Sequence, residues 1–156
     1  GVLLSYVEVR FLLAEAAARG YSVGGDAATH YAAAITASFD YWGVSDVASY
    51  LGKPEVDYAS AIATSSSTPA WKQVIGVQAY LGLYNRTFAS YLSIRRLDYP
   101  ILTQPTDAVS GFPTRYTYPV VEQTLNGANY DAAASAIGGD APETQLFWDK
   151  FYTFDF

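Results

Sequence analysis

The chain has no cysteine, no methionine and a single histidine, His30, among its 156 residues. Without thiols there is no disulfide framework, no cysteine nucleophile and no zinc–thiolate site, and one imidazole cannot build a multi-histidine metal centre. Positive charge is scarce as well. Nine Lys and Arg stand against 15 Asp and Glu, for a net charge of −6. The only basic cluster is Arg95-Arg96, whereas a polyanion needs several cations on one face, so nucleic-acid binding is excluded. No apolar run approaches the ~20 residues that span a bilayer, and no signal peptide with a basic start is present. A chain beginning Gly1-Val2-Leu3-Leu4 without methionine is read as a fragment or a processed chain.

Charged residues make up only 15% of the chain, below the usual ~25%, whereas 25 residues are aromatic and 14 of these are tyrosine. The charge is unevenly spread. Residues 1–106 hold 8 acids and 7 bases, residues 107–156 hold 7 acids and 2 bases, and the tail therefore carries −5 of the −6. A length of 156 residues suits one domain with a real core, since such a chain buries about 68–70% of its unfolded surface.

Periodicity organises the first hundred residues. From Val2 to Arg19, Leu4, Val7, Phe11, Ala14 and Ala18 recur every three or four positions, one face of a helix ended by Gly20. Glu15 and Arg19 are spaced for a helical ion pair. Asp26 is placed to cap a second helix running to about Tyr41 and stopped by Gly43, with Ala28, Tyr31, Ile35 and Phe39 on its face. Two helices joined by a short glycine-rich loop make an antiparallel hairpin, and their alanines permit the close approach seen in tetratricopeptide-type repeats. Short helices are expected from Ser45 to Leu51 and from Tyr58 to Ala63, the latter capped by Asp57. Thr68 at N-cap and Pro69 at N1 open a helix faced by Trp71, Val74, Ile75, Gln78 and Leu81. Asn85 marks a break, and Phe88, Tyr91, Leu92 and Arg95 belong to a further helix that ends before Pro100. Prolines 105, 113, 119 and 142 and Gly111, Gly127, Gly138 and Gly139 then leave room for short elements, chiefly Val120–Asn126 and Tyr130–Ile137. The expected fold is all-α, with tetratricopeptide-like hairpins in residues 1–100 and an irregular, loop-rich lobe in residues 101–156 packed on the same domain.

Five separated blocks resemble, in order, the SusD/RagB-like outer-membrane lipoprotein family, of the SusD-like_2 type. YVEVRFLLAEA, residues 6–16, is similar to the family's "YAEV-x-FLLAEAA" helix. YAAAITASFDYWGV, residues 31–44, is similar to "YY-x-AI-x-ASF-x-x-WGV". Trp71-Lys72 through Asn85 and then SIRRLDYP, residues 93–100, resemble "KW-x-AL … EAW-x-x-WRRTGYP". RYTYP with Glu122, LNGANY and FWD, between Arg115 and Asp149, resemble its closing pattern. The likeness runs from about residue 3 to residue 150. It departs at Phe88–Arg96, which lacks the acidic and tryptophan residues, and at Phe147-Trp148, where the family has two tryptophans; both departures keep size and aromaticity. The resemblance implies the C-terminal part of a surface-exposed lipoprotein of the outer membrane that binds glycan, or in some cases peptide, and hands it to a TonB-dependent SusC-like barrel. It implies no catalysis and no cofactor, and contact with the membrane only through a lipid anchor outside this segment.

Chemistry-bearing residues have simpler readings. Glu8 and Glu15 lie seven apart on one helix, a spacing that allows a paired-carboxylate glycosidase, but spaced acids on a helix are more often solvated or ion-paired. His30, near Asp26 and Ser38 in sequence, reads as a surface or half-buried side chain. Arg95-Arg96 reads as cations in a last helical turn. No Gly-x-Ser-x-Gly segment exists, Leu51-Gly52-Lys53-Pro54 is not a phosphate loop, and no spaced calcium loop is present in the acidic tail. Phe11, Phe39, Trp71 and Phe88 lie at core spacing, and Trp42 beside Gly43 is expected to be buried. The aromatics of the irregular lobe, Tyr116, Tyr118, Tyr130 and Trp148, are the candidates for stacking on a sugar face. The competing reading is a helical protein-interaction scaffold whose ligand contacts, if any, lie outside this segment.

Overall fold

The computed structural model describes residues 2–150, and among these the secondary structure is entirely helical. Two compact units are present, Gly1–Ile101 and Leu102–Phe156. In the first, α1 (Tyr6–Ala18) and α2 (Ala27–Trp42) pack along each other, and α5 (Ala70–Gly82) lies against both. The short helices α3 (Val47–Leu51) and α4 (Tyr58–Thr64) pack on α2, and α6 (Thr87–Leu97) packs on α5. This is a tetratricopeptide-like arrangement of helical hairpins.

Local chemistry explains most boundaries. Ser5 is extended, and its Oγ accepts from the Glu8 N–H at 3.1 Å, so α1 starts at Tyr6 and Leu4 stands outside the helix in solvent. Asp26 accepts from the Thr29 N–H at 2.7 Å and Asp57 from the Ser60 N–H at 3.0 Å. Those hydrogen bonds hold both carboxyls below the usual carboxylate range. Gly43 closes α2 with φ +65, a conformation that side chains resist. At α5 the expected start shifts by one residue: Pro69 is the N-cap and Ala70 the first helical residue. The serine run supplies the missing cap, because Ser67 Oγ accepts from the Gln73 N–H at 3.3 Å while Gln73 Oε1 accepts from the Ser66 N–H at 3.0 Å.

The core is built where α1, α2 and α5 meet. Phe11, Tyr31, Ile75 and Leu97 are buried, and Ala14 and Ala34 are fully enclosed. Burying a side chain of this size contributes about 1.5–3 kcal/mol. Phe11 meets Tyr31 edge-on at 6.3 Å, and Tyr31 meets Tyr58 at 5.2 Å. Burial pushes the Tyr31 hydroxyl up, and that hydroxyl donates to the Val56 carbonyl at 2.9 Å. Tyr31→Phe would leave this buried carbonyl unpaired, and a loss of about 1–2 kcal/mol is expected. Urea unfolding checks it: the midpoint falls while the slope is unchanged.

Other assignments of the sequence are corrected here. Phe88, Leu92 and Leu81 are exposed; α6 instead turns Ser93, Ile94 and Leu97 inward. Both stripes fit a helical period, and packing on α5 selects the one that carries Ile94 and Leu97. His30 is buried, not at the surface. Its Nδ1 lies 3.0 Å from Arg10 Nη1. A guanidinium only donates, so Nδ1 accepts and the ring proton sits on Nε2, beside Gly25.

In the second unit, α7 (Val120–Leu125) packs on α8 (Gly127–Ile137), and α9 spans Phe147–Lys150. Helix α8 begins three residues before the expected Tyr130. The Asn126 carbonyl already accepts from the Tyr130 N–H at 3.0 Å, so Gly127 serves as a first helical residue, not as a breaker.

Candidate functional site

Two aromatic clusters stand out, one in each unit. In the second, Tyr118 and Tyr130 meet edge-on with ring centroids 5.9 Å apart. Asp140 gathers the cluster. Its carboxylate accepts from Arg115 Nη1 at 2.5 Å, from the Tyr118 N–H at 3.1 Å and from the Tyr130 hydroxyl at 3.2 Å. The Arg115 guanidinium lies over the Tyr118 ring at 4.9 Å, a cation–π contact that fixes the ring. The Arg115 hydrogen bond is the largest cause that holds the Asp140 carboxyl below the usual range, whereas desolvation and the neighbouring Asp140 push the Tyr130 hydroxyl up. Tyr118 and Tyr130 are thus brought together as anchored rings. Tyr116 is not part of this knot; it stands 87% exposed. Trp148 belongs to α9, and its side chain lies outside the described residues.

The first unit holds a groove of about 410 Å³ that the sequence did not disclose. Its walls include Tyr6 from α1, Tyr41 and Trp42 from the end of α2, and Tyr84 and Arg86 from the link after α5, with Asp40 among them. The rings are open: Tyr6 is 58% exposed, Tyr41 64%, Trp42 45% and Tyr84 71%. Trp42 was expected in the core and is corrected here. Trp42 is the last residue of α2, and its ring lies among the groove aromatics and not in the core. Trp42 touches Tyr41 at 5.1 Å and Tyr84 at 5.6 Å, each edge to face. Arg10 lies over the Tyr6 ring at 5.0 Å and donates to its hydroxyl at 2.7 Å. Arg86 donates to the Val2 carbonyl at 3.0 Å and stands 3.9 Å from Glu8. Gly82 forms part of the groove because α1 and α5 approach closely there; a Cβ on Gly82 would sit 2.8 Å from the Phe11 ring.

The carboxylates of α1 are already engaged. Glu15 is buried and accepts from Arg19 Nε at 3.0 Å, and Arg96 reaches it from α6. Arg96 thus does more than close a helix: it ties α6 to α1. With Glu8 beside Arg86, neither acid is arranged as a free proton donor of a glycosidase pair. Among the described residues no group of three or more metal-ligating side chains occurs, and no helix is long and apolar enough to cross a membrane.

The paired helices of the first unit thus present aromatic rings around one groove, while the acids of α1 are held by arginine. Residues 1–119 match the SusD-like_2 family, described as "Starch-binding associating with outer membrane", and the chain belongs to that family, one of binding proteins. Among solved structures it is similar to a SusD-like protein of Bacteroidetes AC2a, at 29% identity and TM-score 0.77 over 96% of this chain and 30% of that one. It is also similar to a chitin-binding SusD homolog from Flavobacterium johnsoniae, at 26% identity and TM-score 0.74 over 94% and 36%. A SusD homolog from Parabacteroides distasonis matches at 30% identity and TM-score 0.71 over 95% and 33%. The chain spans about a third of the length of these structures. No curated protein matches it.

Proposed function

We propose that this chain is part of a glycan-binding protein of the outer membrane, held at the cell surface by a lipid anchor outside this segment. It would pass its ligand to a TonB-dependent SusC-like barrel. The carrying observation is the family match over residues 1–119, supported by a relative whose name records chitin binding. In this reading residues 1–100 form the scaffold that faces the barrel, and residues 101–156 contribute ligand contacts. Tyr116, Tyr118, Tyr130 and Trp148 are the proposed contacts in that lobe. The open Tyr116 ring offers a face to the apolar C–H side of a sugar, and the hydroxyl-rich edge of the sugar would meet polar neighbours. Peptide is the second ligand class that the family allows.

Calorimetric titration with maltohexaose, chitohexaose and a peptide mixture tests the reading. Saturable heat with one glycan class is expected. Heat with no glycan, from a chain that still binds a SusC-like barrel, would replace this reading with the protein-interaction scaffold.

A further inference from the structure

We infer that the groove of the first unit is itself a sugar-stacking subsite, one that takes a neutral pyranose chain; this rests on the glycan-binding reading above. The rings are not needed to fill the core. Beneath them Val7, Phe11 and Ala14 of α1 are already buried, yet Tyr6, Tyr41, Trp42 and Tyr84 remain in solvent around one concavity. Scattered exposed apolar residues are ordinary, whereas a contiguous set around a cavity marks a binding surface.

The rings are pre-organised. Trp42 is set between Tyr41 and Tyr84 by edge-to-face contacts, and Arg10 holds Tyr6 by both ring face and hydroxyl. Side chains already fixed lose little further freedom on binding. The polar complement suits a sugar. Asp40 accepts hydrogen bonds, Arg86 has guanidinium donors beyond the one given to Val2, and the tyrosine hydroxyls do both. One carboxylate and one guanidinium among the lining residues leave the groove without excess charge. That matches a neutral glycan and disfavours a uronic-acid or sulfated one. A volume of about 410 Å³ falls within the roughly 300–1,000 Å³ of small-ligand sites.

The test titrates maltohexaose and chitohexaose into the chain and its Trp42→Ala, Tyr84→Ala and Tyr116→Ala variants by calorimetry, with thermal melts as the folding control. Tyr84 is the most open of the four rings, so its removal leaves the fold intact. Binding of one oligosaccharide about tenfold weaker in Trp42→Ala and in Tyr84→Ala is expected, because each removes one stacking face. Trp42→Phe should restore part of the loss. Full-strength binding in both alanine variants, with or without loss in Tyr116→Ala, overturns the subsite and leaves the glycan reading standing. No binding of either oligosaccharide to the unaltered chain overturns both.

Discussion

Glu15→Ala is expected to destabilise the helical unit by about 3 kcal/mol, the lower end of the range for breaking a buried ion pair. Glu15 is 5% exposed and receives two guanidiniums, Arg19 from its own helix and Arg96 from α6. Arg19 also lies over the Trp71 ring of α5 at 4.8 Å, so one carboxylate coordinates three helices. Without it two cations face each other with no anion between them. The loss stays at the lower end because the Arg19 and Arg96 side chains are 27% and 41% exposed, and water screens what remains. Arg19→Ala should cost less, since Glu15 keeps Arg96. Glu15→Gln should fall between, keeping the volume and an acceptor but not the charge. Urea unfolding of the three variants measures the order; a Glu15→Ala loss under about 1 kcal/mol would put this network in the class of surface pairs.

How much of this fold the residues disclose depends on whether the deciding chemistry is local. Asp26, Asp57 and Gly43 act on backbone groups within three or four positions, and the structure places each at the helix end expected of it. The Glu15–Arg19 pair is likewise a matter of one helical turn. Choosing between two faces of one helix is not local. Phe88 and Leu92 share a stripe as regular as that of Ile94 and Leu97, and only the surface of α5 decides between them. His30 shows the same limit, because its partner Arg10 is twenty residues away.

The candidate sites divide in the same way. Tyr118 and Tyr130 lie in motifs short enough to be singled out, but Asp140, which holds both, follows Gly138-Gly139 in what reads as a plain loop. The groove is assembled from Tyr6, Tyr41, Trp42 and Tyr84, residues spread over the ends of three elements. Its one sequence-level sign is the adjacent aromatic pair Tyr41-Trp42 at a helix end. Its place beside Gly43 points Trp42 into the core, whereas the ring stands 45% exposed at the last residue of α2.

Asp140→Ala is expected to strip α7 and α8 of most of their protection while sparing the first unit. Its carboxylate is the shared acceptor of Arg115, the Tyr118 N–H and the Tyr130 hydroxyl. The Arg115 side chain, 6% exposed, is paired with Asp140. Neither α7 nor α8 carries a buried residue, and the other ties of the unit lie in its loops, where Thr114 Oγ1 donates to the Pro142 carbonyl at 3.1 Å and to the Thr144 carbonyl at 3.0 Å. Acid should reproduce the effect. Arg115 lowers the folded-state pKa of Asp140 below its ordinary value of 3.8. This stabilisation is therefore fully present above the ordinary value, and it is lost as pH falls through the lower, folded one. The caps Asp26 and Asp57 are shifted in the same direction, so a whole-chain melt would merge the two units. Hydrogen exchange read segment by segment separates them. At neutral pH, Asp140→Ala should lose protection in α7 and α8 and keep it in α1, α2 and α5. Asp140→Asn, which retains an acceptor without the charge, should show the same loss more weakly and no longer respond to acid through this position. Protection in α8 that is indifferent to both substitutions would mean that the α7–α8 contact, and not the Asp140 knot, holds the unit together.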